Sequence, residues 1–414
     1  MEHFFQCINC ESKYETEEMI YECPRCRDLL EIRYDYERMA SQVDTRLWRS
    51  RSFSVWRYRE QIPIGDKARI VTLGEGGTGL HKSENLANDL KLKRLHIKFE
   101  GENPTGSFKD RGMTVSVSKA LEAQAKTVAC ASTGNTSASL SAYAAKAGLR
   151  CVVLIPAGKI GQGKLAQAIA HGATILEIEG NFDDALRSAI ELTKKDRSIA
   201  LLNSVNPFRI EGQKTLAFEI YDQLDFRPPD VVIVPVGNAG NISAIWKGFE
   251  ELYKLRAIKE LPRMIGIQAE GAAPIASAYK QESSEIQIVQ RPETIATAIR
   301  IGAPASWKKA LRVVRDSQGA METVSDDEIL QAQKEIAGRE GLFVEPASAS
   351  SVAGLKKLLE QELIDRDEEV ICVATGHGLK DPQIVRRIGN PPIRTKADIE
   401  SIETALSLVW APRG

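Results

Sequence analysis

Residues 100–113 read E-G-E-N-P-T-G-S-F-K-D-R-G-M. They follow a short apolar run, Leu95–Phe99, and open a helical pattern that continues through Leu121. Asn103, Pro104 and Gly106 predict a turn, because proline fixes φ and glycine accepts a positive φ. Ser107 stands where an N-cap is expected. Lys109 is thereby placed in the first turn of a helix at the carboxyl end of a strand, where α/β proteins bind ligands. The helix dipole disfavours a cation at an N-terminus. The same field lowers the ammonium pKa, as a nucleophilic amine requires. A solvated lysine after a capped turn would give the same pattern, so the neighbouring segments have to discriminate.

Outward from this stretch, strand and helix patterns alternate from about residue 67. Strands are predicted at Leu95–Phe99, Thr127–Ala131, Cys151–Ile155, Thr174–Ile178, Ile199–Leu202, Val231–Val236, Met264–Gln268 and Val370–Ala374. Helical spacing such as Leu165, Ala168, Ile169 separates most of them. Such alternation implies an α/β fold, with parallel sheets covered on both faces.

Several strands end in loops with chemical character. Ser132, Thr133, Gly134, Asn135 and Thr136 lie between a strand and a helix predicted at Ser137–Lys146, a generic anion site of free N–H groups. Helix capping alone would also account for Ser132 or Thr136. Residues 203–215, N-S-V-N-P-F-R-I-E-G-Q-K-T, lead into a helix expected around Gly212–Gln223. Asn203 and Ser204 are neutral donors, and the planar fork of Arg209 can bond two phosphate oxygens at once. A polar turn with one surface arginine is the bland equivalent. In Pro235–Asn241, Gly237 and Gly240 let the backbone, through Asn238, Ala239 and Asn241, curl round a phosphate. Any tight strand-to-helix turn can need such glycines. The pattern is not G-x-G-x-x-G, so nothing favours a nicotinamide cofactor. Thr375 and His377 close strand Val370–Ala374 in the run T-G-H-G-L-K-D-P. His377 reads as a turn residue.

The N-terminus carries a different signal. Cys7, Cys10, Cys23 and Cys26 form two C-x-x-C turns joined by a hairpin-length segment. That spacing predicts a zinc ribbon over residues 1–33, a closed Cys₄ site with no open position for chemistry. Residues 1–30 hold seven acids and three bases (7 − 3, net −4), which argues against a phosphate-binding surface and for a structural or docking module. Cys130, Cys151 and Cys372 lie in apolar runs and read as buried hydrophobes. Residues 34–66 are aromatic-rich and predict a helical arm packed on the body. Its arginines, Arg49, Arg51, Arg57 and Arg59, read as surface charges.

The chain has 414 residues, a net charge of −1, 43% hydrophobic and 27% charged residues. These values suit an ordinary globular protein of two to three domains and suggest no nucleic-acid or anionic-membrane partner. No apolar run reaches the length of a membrane helix, and the first residues lack a signal-peptide pattern. A cytoplasmic location is expected.

The segment P-T-G-S-F-K-D-R-G resembles the Schiff-base lysine segment of the fold-type-II pyridoxal-phosphate enzymes, and within them it is most similar to the threonine synthase family. Residues 266–274 and 292–307 resemble segments of that family too, and some of its members carry a zinc ribbon. The resemblance covers roughly residues 70–385. It implies two parallel-sheet αβα domains with the cofactor in the cleft between them. The large domain would comprise 67–112 and 205–395, the small domain 113–204, and the tail 396–414. Lys109 would hold pyridoxal 5'-phosphate and carry protons, with Phe108 beside it. Asn135 would meet the cofactor's phenolic oxygen, Thr375 its pyridine nitrogen, and residues 237–241 its phosphate. Ser132, Thr133, Asn135 and Thr136 would bind the substrate carboxylate, and Asn203, Ser204 and Arg209 the substrate's own phosphate. The implied reaction converts O-phospho-L-homoserine and water to L-threonine and phosphate: phosphate leaves from Cγ and water adds at Cβ. A homodimer is expected, with arm and ribbon as contacts. Relatives usually have T-P-L where this chain has Thr78-Gly79-Leu80, so a looser loop is expected there. Three alternatives stay open: a cysteate synthase using phosphoserine and sulfite, a threonine dehydratase, and a non-catalytic interaction protein on the same fold.

Overall fold

The computed structural model describes residues 3–16, 19–158, 162–384, 387, 389 and 392–410. The other positions of the expected ribbon (1, 2, 17, 18), small domain (159–161), large domain (385, 386, 388, 390, 391) and tail (411–414) lie outside the described residues.

In chain order the strands are β1 (His3–Cys7), β2 (Lys13–Tyr14), β3 (Leu30–Tyr34), β4 (Leu80–Lys82) and β5 (Arg94–Phe99). Then come β6 (Thr127–Ala131), β7 (Arg150–Pro156), β8 (Thr174–Ile178) and β9 (Ile199–Leu201). The last four are β10 (Val231–Pro235), β11 (Arg263–Ala269), β12 (Ala320–Val324) and β13 (Glu369–Ala374). They form a three-stranded antiparallel sheet β2-β1-β3, a six-stranded sheet β12-β11-β10-β13-β5-β4 and a four-stranded sheet β8-β7-β6-β9. The two larger sheets are parallel except for β4, which runs antiparallel to β5.

The central strands are apolar because both faces are covered. In β10, Val231 and Ile233 join a core with Ile265, Ile267 and Leu355. Val232 and Val234 turn the other way, against Ile245, Trp246 and Phe249. A third core, with Met113, Val117, Leu140 and Val153, covers one face of the four-stranded sheet.

The helices that matter for the site follow strands. After α1 (Tyr36–Gln42) and α2 (Glu84–Leu90) come α3 (Lys109–Glu122), α4 (Asn135–Ala147), α5 (Gln162–Ala170) and α6 (Phe182–Lys195). Next are α7 (Pro207–Gln213), α8 (Thr215–Gln223), α9 (Gly240–Lys254), α10 (Pro274–Lys280) and α11 (Trp307–Asp316). α12 (Asp326–Glu340), α13 (Pro346–Glu360) and α14 (Ile399–Trp410) are the last three among the described residues. α12 starts on a reciprocal capping box between Ser325 and Glu328.

All eight strands expected from the sequence are present, and beyond the three of the N-terminal module two more, β4 and β12, escape that reading. β4 and β12 are edge strands, and Glu322 and Thr323 interrupt the apolar pattern of β12. Five further expectations need correcting. The helix expected around Gly212 is two helices, because Pro207 with the side-chain cap of Asn206 starts α7 earlier. Ser107 does not cap α3: the cap position is Phe108, without a side-chain bond, and the Ser107 hydroxyl is buried with no partner. The arm contains one short α-helix and two 3₁₀ segments, with Trp48 and Tyr58 buried edge-on against each other at 4.8 Å. Arg57 is largely buried on Asp222 and structural, while Arg49 binds the same carboxylate from the surface, as expected of a surface charge. The loop at 73–80 is pinned without its proline: Gly76 N–H donates to Asn103, Gly77 N–H to Glu219, and the Thr78 hydroxyl to Glu100.

Candidate active site and cysteine cluster

The loops after β5, β6, β9, β10 and β13 meet at the carboxyl ends of their strands. Lys109 is the first residue of α3. Two backbone contacts hold its approach: Ser107 bridges Gly376, and Phe108 N–H donates to the Thr375 carbonyl at 3.0 Å. The Lys109 Nζ lies 4.2 Å from the Phe108 ring centroid. Its pKa is pushed down to about 7, by burial first and then by the charge of Arg209, against the pull of the Glu345 carboxylate. Burial and a neighbouring cation thus act on Lys109 in addition to its place at the helix N-terminus, which the sequence suggested.

Arg209 sits in the first turn of α7, buried, and burial lowers its pKa to about 10. Among the described residues its guanidinium has no hydrogen bond or ion pair, and its Nε is buried without a partner. Its proximity to Lys109 follows from glycine. α3 and α7 cross at Gly112 and Gly212, where a Cβ on Gly112 would lie 2.9 Å from the Arg209 carbonyl oxygen and one on Gly212 would collide with that of Arg111. Asn203 is otherwise engaged than its sequence reading suggests. Its Oδ1 accepts from Ala131 N–H at 2.8 Å and its Nδ2 donates to the Ala131 carbonyl at 3.0 Å. It braces the turn at Ser132, while Ser204 is half-buried beside it.

At Ser132–Thr136 the Ser132 hydroxyl accepts from Gly134 N–H, and α4 starts without a side-chain cap, leaving N–H groups available. Asn135 donates to both carboxylate oxygens of Glu345, at 3.3 and 3.1 Å. The Thr375 hydroxyl lies 3.4 Å from Glu345 and 3.1 Å from the Ser348 hydroxyl. Glu345 thus touches two candidate cofactor contacts, and burial pushes its carboxyl pKa up. The sequence reading assigned it no chemistry. Its one visible signal is an acid before a helix-opening proline, which is also an ordinary helix start.

Gly237–Asn241 curls onto the N-terminus of α9, with Ala239 in the left-handed region at φ 64°. A Cβ on Gly237 would lie 3.0 Å from Ile299 Cα, so only glycine fits there without a shift. Asn238 holds its neighbours: its Oδ1 accepts from Ala305 N–H and its carbonyl from Ser306 N–H. Both polar atoms of the Asn241 amide are buried without partners. His377 is a turn residue, its ring stacked on Phe99 at 5.9 Å and its Nδ1 accepting from Leu379 N–H.

Buried polar groups are almost always satisfied. Here Ser107, Arg209 and Asn241 are not, among the described residues, and they stand on a loop and the first turns of two helices around a half-buried lysine of lowered pKa. That donor set suits a ligand with an aldehyde to meet the amine and more than one anionic group, so the residues fit pyridoxal phosphate.

The four N-terminal sulfurs lie within 4.8 Å of one another, with Cys7–Cys26 at 3.4 Å, Cys10–Cys26 at 3.5 Å and Cys10–Cys23 at 3.6 Å. Four sulfurs about 2.3 Å from one centre would stand roughly 3.8 Å apart, so the cluster has the size of a tetrahedral metal site. All seven cysteines are free, and burial raises the pKa of Cys130, Cys151 and Cys372.

The "Pyridoxal-phosphate dependent enzyme" family profile matches residues 71–376. The chain belongs to that family. Solved structures agree on the fold: a tomato threonine deaminase aligns with a TM-score of 0.63 at 22% identity, covering 75% of this chain and 82% of that one. A serine ammonia-lyase from Rhizomucor miehei aligns with a TM-score of 0.63 at 21% identity, over 72% and 93%. Sequence relatives narrow the assignment. The threonine synthase of Methanocaldococcus jannaschii is 55% identical over 97% of this chain and 98% of its own length, and that of Methanosarcina acetivorans is 52% identical over 98% of each. The threonine synthase of Mycobacterium bovis is 54% identical over 78% of this chain and 88% of its own. Within the pyridoxal-phosphate enzymes, the chain is a member of the threonine synthase family.

Proposed function

We propose that this lyase converts O-phospho-L-homoserine and water to L-threonine and phosphate. The observation that carries the reading is Arg209, a buried guanidinium with no anion to meet it among the described residues, close enough to Lys109 to depress its pKa. An isolated buried charge is expensive, and a substrate phosphate would compensate it.

Lys109, with Phe108 beside it, would hold pyridoxal phosphate, which supplies the electron sink that lets protons leave the substrate's carbons. Asn135 would face the ring's phenolic oxygen and Thr375 its nitrogen, with Glu345 fixing both side chains. The N–H groups of Gly237, Asn238, Ala239, Gly240 and Asn241 would hold the cofactor's phosphate. Ser132, Thr133, Asn135 and Thr136 would hold the substrate carboxylate. Arg209 and Ser204 would hold the departing phosphate, with Asn203 bracing the turn between. A neutral Lys109 suits proton transfer at Cα and Cβ, because its pKa lies near the working pH.

The division into a small domain over 113–204 and a large domain over 67–112 and 205–395 is part of the same reading, as are a cytoplasmic homodimer and a structural zinc on Cys7, Cys10, Cys23 and Cys26. No helix among the described residues is long and apolar enough to cross a membrane.

Arg209→Ala tests the substrate assignment. Loss of a charged hydrogen bond in a sequestered site should lower kcat/KM for phosphohomoserine by about 30- to 1,000-fold, or about 2–4 kcal/mol. Cofactor absorbance should stay intact. Loss of cofactor instead would mean that the two phosphate sites are exchanged. Unchanged turnover would mean that the substrate is no phosphate ester.

A further inference from the structure

The cysteine module grips one segment of the site at both ends. Upstream, the Leu201 N–H donates to the Tyr21 phenol at 3.0 Å. That N–H lies on the outer edge of β9, whose other edge pairs with β6. Tyr21 packs against the apolar cluster that includes Ala129, Ala131 and Leu154, and Met19 packs against the core on the same sheet. Downstream, the Phe5 ring stands edge-on to Phe208 at 5.6 Å, and the Tyr34 hydroxyl donates to Glu211 at 2.6 Å. Phe208 and Glu211 flank Arg209 on α7. Asn203 and Ser204 lie between the two grips.

A grip is needed there. Arg209 is buried with no protein anion against it among the described residues, so rehydration of its guanidinium favours a shift of α7 outward. The acidic charge of the module has a matching use: Asp28 pairs with Lys308, and Glu31 with Arg312 and Lys309, on α11. A module of three short strands has too small a core to hold its own shape without a cross-link. The four sulfurs tie the end of β1 and the turn after it to the turn carrying residues 23–26, and hence fix where Phe5, Tyr21 and Tyr34 stand.

We infer that the N-terminal module is a strap that positions the 201–211 segment, with Phe5, Tyr21 and Tyr34 as its positioning residues and a metal ion on the cysteines as its fastening. The consequence for the substrate's phosphate rests on the function proposed above; the strap itself does not.

The test uses the full-length, cofactor-loaded protein and the variants Tyr21→Phe and Tyr34→Phe. Each removes one hydroxyl, and Glu211 keeps Lys214 and Lys247 as partners. Amide exchange over 201–213 should accelerate in both, most at Leu201 in Tyr21→Phe. KM for phosphohomoserine should rise about 3- to 30-fold while kcat stays within about twofold, the signature of lost ground-state binding. Cofactor absorbance should not change. Extracting the metal with a chelator should reproduce the same exchange and KM changes. Unaltered exchange in both variants overturns the strap. So does a joint fall of kcat, cofactor content and melting temperature, which marks general destabilisation. If Arg209→Ala spares turnover, the phosphate reading fails, and the exchange result alone upholds or overturns the strap.

Discussion

Lys109 and Arg209 are coupled through space, and pH reports the coupling. The ordinary lysine pKa of 10.5 is lowered to about 7. A base with a lowered pKa is neutral above the new value and protonated below it. Only the neutral amine can condense with the cofactor. Reloading of cofactor-stripped protein should therefore speed up about tenfold per pH unit up to about 7, then level off, followed by absorbance. Arg209→Ala removes a repelling charge, so the inflection should move to higher pH. An unmoved inflection would show that Arg209 does not act on Lys109. The residue types were legible in the sequence, since P-T-G-S-F-K-D-R-G points to the lysine and Arg209 follows the polar turn that begins at Asn203. Their protonation was not, because it depends on burial and on a charge 100 positions away. Glu345 was illegible for the same reason: its partners, Asn135 and Thr375, are remote in sequence.

At the scale of elements, the site depends on how closely α3 and α7 cross. Gly112 and Gly212 permit the approach, and Arg209 lies one turn from that crossing. In Gly212→Ala the new methyl would meet the Arg111 carbonyl oxygen, which belongs to backbone and cannot rotate away. Overpacking of this kind costs about 1–3 kcal/mol. The variant should melt several degrees lower and show a raised KM for phosphohomoserine, with its cofactor retained. A normal KM would mean that α7 tolerates displacement. Elements themselves were well read from the sequence where strands are central and apolar. β4 and β12 were missed because an edge strand carries little apolar pattern, and its pairing comes from a neighbour distant in sequence.

At the scale of the molecule, Arg111 ties three segments together from a fully buried position. It donates to Glu100 at 2.6 and 2.8 Å and to Glu219 at 2.6 and 2.7 Å, and Lys98 completes the network at 2.9 Å from Glu219. Burial pushes the Glu219 pKa up, but Arg111 and Lys98 hold it at about 2. A carboxyl held below its ordinary 4.5 contributes stability above that value and loses it as pH falls towards about 2. Arg111→Met leaves the carboxylates undercompensated, so unfolding by denaturant should show a loss of about 3–5 kcal/mol at neutral pH. The loss should shrink in acid, where protonation relieves the glutamates. A deficit constant from pH 7 to pH 4 would mean that packing, and not charge, is what Arg111 supplies.

By itself the sequence determined the parallel α/β architecture, the lysine segment, the glycine turn at 237–241 and the four-cysteine spacing. Each is a local signal, carried by periodicity, turn chemistry or fixed spacing within about twenty residues. The tertiary structure decided what those signals do together. It left Arg209 unpaired beside Lys109, spent Asn203 on Ala131, gave Glu345 to Asn135 and Thr375, and laid the cysteine module across the 201–211 segment. Burial and through-space charge fix those outcomes, and both depend on which distant residues the fold brings within a few ångströms.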